Sequence, residues 1–129
     1  MSSRAGSAWK EITLNLLRIV TGFLFIPHGA QKLFGLFARH PAPLFSLLGL
    51  AGVLEFFGGI AILTGFFTRP VAFVLSGEMA VAYWTVHAHY GWLPFLNHGE
   101  LAVLFCFVFL FLCANGGGSF SIDGLRGRA

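Results

Sequence analysis

The sequence predicts an all-α integral membrane protein, built as an up-down bundle of four transmembrane helices. Two observations come from composition: 57% of the 129 residues are hydrophobic and only 10% are charged, whereas soluble domains carry about 25% charged residues. The third is the presence of four apolar stretches long enough to cross a bilayer, which takes about 20 helical residues. A chain of this length is expected to form a single domain, here residues 1–129.

The four predicted spans are separated by short segments rich in helix-ending residues. They lie near residues 12–36, 44–67, 70–91 and 98–115. Pro41 and Pro43 end helical structure after the first span, and the glycines of 116–118 end the last one. Because short connections join neighbouring antiparallel helices, the up-down order is expected.

The placement of Lys and Arg predicts the orientation of the chain. Five of them fall on the side that both termini share and two on the other side: Arg4, Lys10, Arg69, Arg126 and Arg128 against Lys32 and Arg39. The positive-inside tendency then puts both termini in the cytoplasm of a multi-pass protein of the inner or plasma membrane, in contact with lipid. The basic residues do not cluster, so the net charge of +3 does not indicate a nucleic-acid partner.

Each predicted span contains an ionisable side chain, which is costly in a membrane unless it faces the protein interior or water. Helical geometry places Arg18 and Lys32 on one stripe of the first helix, with His28 at its edge. Glu55 and Glu78 bring carboxylates into the second and third helices. We therefore predict an interior polar site formed by these five residues. For Lys32, an amine reaching out to lipid headgroups is the alternative.

Glu55 is surrounded on its own helix by small residues. Gly52, Gly58 and Gly59 lie one turn away on either side and allow another helix to approach closely, so they are predicted packing positions. The carboxylate is then expected to point into the bundle and to pair with a cation of the first helix, Arg18 or Lys32. Such a pair can fix helix register, or it can handle a proton or a ligand.

Polar residues also collect between the third and fourth spans, where we predict a polar mouth formed by His89, Asn97, His98 and Glu100. A metal site is disfavoured here, because the H-x-H and H-x-E spacings put consecutive candidate ligands on different helical faces. Glu100 also opens the fourth helix, where a carboxylate favours the helix dipole without any further role.

Several motifs together resemble the DoxX family of small four-helix membrane proteins. They are "LLRIVTGFLFIPHGAQKLFG", "LEFFGGIAILTGFFTR", "GEMAVAYWTVH", "HGELAVLF" and "GGGSFSIDGLRGR", and they run from about Leu14 to Arg126. The positions that match the family pattern are Arg18, Gly22, His28, Gly29, Lys32, Glu55, Gly58, Gly59, Gly65, Arg69, Glu78, Glu100 and Asp123.

The resemblance implies an accessory subunit of a quinone-linked oxidoreductase, or of a complex that counters oxidative and thiol stress. It implies quinone as the small molecule and a larger membrane oxidoreductase complex as the assembly. The glycine-rich second helix would also suit a homo-oligomer. Similar four-helix enzymes that oxidise thiols through quinone use a Cys-x-x-Cys pair. This chain has only Cys106 and Cys113 and no self-sufficient catalytic motif. Transport of a small solute or a proton through the polar interior, and a purely structural or assembly role, stay open as alternatives.

Overall fold

The computed structural model describes residues 3–36 and 40–128, and these form helices with no strand among them. In chain order the helices are α1 (Arg4–Phe34), α2 (Leu47–Thr64), α3 (Thr68–Ala82), α4 (Pro94–Asn97), α5 (Glu100–Asn115) and α6 (Ile122–Leu125). Between α3 and α4 the chain continues through a π-helical turn, Tyr83–His87, and a 3-10 turn, Ala88–Tyr90. Arg39, which entered the predicted charge asymmetry, lies outside the described residues.

Within the described ranges, three helical stretches are long and apolar enough to cross a membrane: α1, α2 and α3 with its continuation to Tyr90. Helix α5 is apolar but has 16 residues, which gives about 24 Å at 1.5 Å per residue, less than the roughly 30 Å of a hydrocarbon core. The predicted all-helical membrane class is confirmed. The up-down order and the cytoplasmic termini stay predictions.

Helices α1 and α2 pack against each other in antiparallel order, at a distance set by glycine. A Cβ added to Gly22 would lie 2.6 Å from the backbone nitrogen of Leu63, and one added to Gly29 would collide with the backbone of Phe56. Since contacts this short do not occur between real Cβ atoms and backbone, the two helices approach as closely as they do only because glycine stands at these positions.

The glycines of α2 that the sequence marks as packing positions all lie against side chains of neighbouring helices. Each would place a Cβ at 2.8–2.9 Å from its neighbour: Gly52 from Lys32, Gly58 from Leu75 and Gly59 from Ile26. Gly52 and Gly59 thus serve the contact with α1, whereas Gly58 serves the contact with α3.

The apolar core lies where α1, α2, α3 and α5 meet. Its most deeply buried side chains are Phe25, Ile62, Leu75, Phe109 and Leu112. The rings of Phe25 and Phe109 meet edge to face with centroids 4.9 Å apart, a favoured aromatic geometry. Along α1, Phe25 stands seven residues from Arg18 and seven from Lys32, so the core separates two polar regions of the bundle.

Candidate functional site

The first polar region is centred on an ion pair between α1 and α2. Lys32 Nζ donates a hydrogen bond to Glu55 Oε2. The Glu55 side chain is only 3% exposed and that of Lys32 is 16% exposed. The close helix contact at Gly29 and Gly52 brings the two side chains together. Arg18 and Lys32 were the two predicted partners of Glu55, and in the structure Lys32 forms the ion pair.

Glu78 brings a second carboxyl group to this ion pair from α3. Its carboxyl is near enough to Glu55 and to Lys32 to interact electrostatically with both. The other notable atom is Glu78 Oε1, which is buried and has no hydrogen-bond partner among the described residues. Because a buried polar atom without a partner is costly, this oxygen is a candidate acceptor for a ligand.

His28 completes the group from α1, one turn before Lys32. Its half-buried ring is near both charges of the ion pair. The ring lies against Phe25 and Phe105, with centroid separations of 6.2 and 6.1 Å. We call His28, Lys32, Glu55 and Glu78 the interior cluster.

Arg18, the fifth predicted member of this site, belongs to a different group, which corrects the predicted grouping. Arg18 is 1% exposed, and its guanidinium donates hydrogen bonds to Asn15 Oδ1 at 3.0 Å, to the carbonyl of Gly117, and to the carbonyl of Phe120 at 2.6 Å. The reason is that the chain after α5 folds back onto α1 and presents its carbonyl groups there.

The same segment is held by further polar side chains of α1. Asn15 Oδ1 accepts from the backbone nitrogen of Phe120 at 3.0 Å, and Glu11 accepts from the backbone nitrogen of Ser119. We call Glu11, Asn15 and Arg18 together with the segment 116–123 the carboxyl-terminal clasp.

Asp123 extends the carboxyl-terminal clasp to the start of α3. Its two carboxylate oxygens accept from the backbone nitrogens of Phe67 at 2.9 Å and Thr68 at 2.8 Å. A carboxylate at a helix N-terminus satisfies free N–H groups and favours the helix dipole. Arg126 covers this corner with its guanidinium, 5.1 Å from the ring centre of Phe67. The clasp thus ties α1, the α2–α3 turn and the chain end together.

At the predicted polar mouth, Asn97 is the member that the structure buries in a hydrogen-bond network. Its side chain donates to the carbonyl of Gly91 at 2.7 Å and to Tyr83 Oη at 3.1 Å, and accepts from the nitrogen of Gly99 at 2.8 Å. His87 Nδ1 lies 3.2 Å from the carbonyl oxygen of Asn97. The other predicted members, in contrast, are exposed: His89, His98 and Glu100.

Sequence reasoning missed Tyr83 and His87 because it assumed a regular helix. With 100° per residue, His87 points away from the stripe that carries His89. The π-helical turn Tyr83–His87 adds a residue to the turn and changes which side chains face the bundle. An H-x-H pair in an apolar span signals two candidate positions, but it does not tell which one turns inward.

The two polar regions differ in what they offer to a small molecule. No group of three or more His, Cys, Asp or Glu residues in the described part of the chain is arranged to hold a metal ion. The interior cluster instead combines N–H donors, on Lys32 and His28, with a free carboxyl oxygen on Glu78. Such a set suits a ligand that both accepts and donates hydrogen bonds.

Comparison with known proteins gives two matches. The family model described as DoxX matches residues 13–88, a segment that contains every residue of the interior cluster. An uncharacterized protein of Haemophilus influenzae is 39% identical over 126 residues, covering 89% of this chain and 91% of the relative. No solved structure matches the chain.

Proposed function

The chain belongs to the DoxX family of membrane proteins, and from this premise we propose that it is an accessory membrane subunit of a quinone-linked oxidoreductase complex, of the kind that counters oxidative and thiol stress. In this proposal the interior cluster is the site that meets the quinone headgroup. The protein sits in the inner or plasma membrane with both termini in the cytoplasm. The observation that carries the proposal is Glu78 Oε1, which is buried near the Lys32–Glu55 ion pair and has no partner among the residues that the structure describes.

The chemistry of the interior cluster suits both states of a quinone headgroup. An oxidised quinone presents carbonyl oxygens, to which the Lys32 ammonium or a ring N–H of His28 can donate. A quinol presents hydroxyl groups, and Glu78 Oε1 is an acceptor to which no group in the described part of the chain donates. The aromatic rings of Phe25 and Phe105 beside His28 give the apolar surroundings typical of sites for ring-shaped ligands.

Reduction of a quinone to a quinol consumes two electrons and two protons. In the proposed complex, a redox partner supplies the electrons and the carboxyl groups of Glu55 and Glu78 serve proton exchange with the headgroup oxygen. The role of this chain is then to bind and orient the headgroup and to hold a proton next to it.

Proton or solute transport is the rival function, and the apolar core argues against it. A transport path needs polar groups or water along the whole bundle. Between the interior cluster and the carboxyl-terminal clasp lie the fully buried side chains of Phe25, Ile62 and Phe109. This arrangement favours a site that is reached from one side. A purely structural role accounts for the Lys32–Glu55 ion pair but leaves the additional carboxyl group of Glu78 without a purpose.

The test is binding of a short-chain ubiquinone analogue and of its quinol to the purified full-length protein in detergent, measured by the quenching of tryptophan fluorescence. We expect the wild-type protein to bind both forms, and Glu78→Gln and Glu55→Gln to weaken binding of the quinol at least about tenfold, a loss of 1.4 kcal/mol or more. Glu100→Gln is the matched control, since Glu100 is exposed at the start of α5, and it should bind as wild type does.

Two outcomes would end this proposal. One is a wild-type protein that binds neither form, and the other is a Glu78→Gln variant that binds the quinol equally well. Proton flux into proteoliposomes that disappears in Glu78→Gln, measured with a pH-sensitive dye, would establish transport instead.

A further inference from the structure

We infer that the exposed side of the carboxyl-terminal clasp binds the phosphate group of an anionic phospholipid. The residues that would form this surface are Phe66, Phe67, Arg126 and Arg128, and we call them the arginine face. It is separate from the interior cluster, so the inference goes beyond the proposed quinone function and does not depend on it.

The backbone of the chain end holds both arginines beside the start of α3. The carboxylate of Asp123 accepts hydrogen bonds from the backbone nitrogens of Phe67 and Thr68, which fixes the segment at this corner. The backbone nitrogens of Arg126 and Arg128 in turn donate to the carbonyl of Asp123, at 3.2 and 2.7 Å. The two arginines are therefore attached to the clasp by main-chain hydrogen bonds.

The guanidinium of Arg126 is positioned by aromatic rings and not by hydrogen bonds. Its central carbon lies 5.1 Å from the ring centre of Phe67 and 5.8 Å from that of Phe66, within the range of cation–π interactions. No hydrogen bond or ion pair joins the guanidinium to residues 3–36 or 40–128. The rings hold the charge in place but supply no acceptor for its N–H groups, two of which can bind a phosphate in parallel.

No acidic side chain in the described part of the chain balances the arginine face. The carboxylates at this end of the bundle are Glu11 and Asp123, and both accept hydrogen bonds from backbone nitrogens. Arg128 is exposed, and Arg69 at the start of α3 adds a further exposed cation, which donates to a main-chain carbonyl. The excess of positive charge favours an anion that comes from outside the chain.

The location of the arginine face indicates a lipid headgroup as that anion. A stretch long enough to cross the membrane begins at Thr68, directly after Phe67, so the face lies where the hydrocarbon region ends. Phe66 and Phe67 are exposed, and so are Phe120 and Leu125 of the clasp. Apolar side chains flanked by arginines are typical of a surface that enters the interface of an anionic membrane. A soluble acidic partner would leave these apolar groups uncovered.

Native mass spectrometry of the purified full-length protein tests this binding. The protein in detergent is titrated with phosphatidylglycerol and, separately, with phosphatidylcholine of the same acyl chains. We expect the wild-type protein to bind phosphatidylglycerol at least about fivefold more tightly, the contribution of one arginine near an anionic headgroup. Arg126→Gln/Arg128→Gln should bind the two lipids equally.

The matched control is Arg4→Gln/Lys10→Gln, which removes the same charge from exposed positions of α1 at the same end of the bundle. It should keep the preference for phosphatidylglycerol. Thermal unfolding in mixed micelles gives a second readout, because a ligand of the folded state raises the unfolding temperature. Phosphatidylglycerol should do so for the wild-type protein and the control variant, but not for Arg126→Gln/Arg128→Gln.

Three results would overturn the inference. The first is a wild-type protein without a preference for phosphatidylglycerol, which needs no variant to fold. The second is a control variant that loses the preference to the same extent, since net charge and not the arginine face would then attract the lipid. The third is displacement of the lipid by inorganic phosphate, which would identify free phosphate as the ligand. None of these measurements involves quinone, so quinone binding succeeds or fails separately.

Discussion

The interior cluster and the carboxyl-terminal clasp both bury charged side chains in the same bundle, but they use their hydrogen-bonding capacity differently. In the clasp, the terminal nitrogens of Arg18 donate to Asn15, Gly117 and Phe120. In the interior cluster, the ion pair is joined by Glu78, whose buried Oε1 receives no hydrogen bond from residues 3–36 or 40–128. The polar groups of the clasp therefore hold chain segments together, whereas the interior cluster keeps one acceptor available.

Two buried atoms at the carboxyl-terminal clasp and its contact with α3 also have no hydrogen-bond partner among the described residues. They are Arg18 Nε and Thr68 Oγ1. Both residues lie beneath Gly117, where an added Cβ would be 2.6 Å from Thr68 Oγ1 and 3.3 Å from Arg18 Cδ. The unpaired atoms at the clasp therefore lie against backbone, whereas Glu78 Oε1 belongs to the group around the Lys32–Glu55 ion pair.

The largest expected effect comes from removing the cation of the clasp. Arg18→Met leaves buried carbonyl oxygens without donors, so we expect a loss of about 3 kcal/mol or more in the free energy of unfolding. Arg69→Met is the matched control, because Arg69 is an arginine that donates to a carbonyl, that of Ala114 at 2.7 Å, in an exposed position, and it should cost less than about 1 kcal/mol. Unfolding in detergent measures both, and equal losses would contradict a special role for Arg18.

Removing the cation of the interior cluster should cost less. In Lys32→Met the two glutamates can neutralise by taking up protons, so we expect a loss of about 1–3 kcal/mol, below the 3–5 kcal/mol typical of a broken buried ion pair. The double variant Lys32→Met/Glu55→Gln removes both charges and should be more stable than Lys32→Met alone. If the double variant loses as much free energy of unfolding as the two single variants added together, Lys32 and Glu55 do not stabilise the protein as a pair.

A smaller effect is expected at the second attachment of the clasp. Asp123→Asn keeps the shape of the side chain but removes the charge at the start of α3, so we expect a loss of about 1 kcal/mol from weaker capping. Glu100→Gln, at the exposed start of α5, should cost no more than about 0.5 kcal/mol. Thermal unfolding of both variants under the same detergent conditions makes the comparison, and an Asp123→Asn variant as stable as wild type would exclude a capping role.

The smallest effect on stability is expected at Glu78. Glu78→Gln keeps the size of the side chain and leaves the Lys32–Glu55 ion pair in place, so the free energy of unfolding should change by less than about 1 kcal/mol. A loss as large as that of Arg18→Met would show that Glu78 is structural, like the residues of the clasp.

Several features of the fold and of the interior cluster can be predicted from the sequence, because they depend on residues close together in the chain. Low charge and long apolar stretches predict a helical membrane protein. The small residues one turn from Glu55 predict that α2 packs closely there, and the structure places Gly52 against Lys32. Helical spacing also keeps Lys32 and His28 near one another on α1.

What sequence reasoning could not supply depends on distant or irregular backbone. Two of the partners of Arg18 are carbonyl groups 99 and 102 positions further along the chain. Because every residue has a backbone carbonyl, the residue type does not reveal which one accepts a hydrogen bond. For the same reason, the sequence assigned Arg18 to the interior site. The π-helical turn Tyr83–His87 changes the directions in which His87 and His89 point. It contains no proline or glycine from which it could have been predicted.

The most direct measurement compares one variant from each region, Glu78→Gln from the interior cluster and Asp123→Asn from the clasp. The affinity for the quinol form of the analogue and the thermal stability are determined on the same preparations of both variants. We expect Glu78→Gln to keep the stability of the wild-type protein and to lose at least about tenfold in affinity. Asp123→Asn should lose stability and bind the analogue as the wild-type protein does. If the two variants lose affinity and stability together, or if Asp123→Asn is the one that loses affinity, the division into a ligand site and a structural clasp is contradicted.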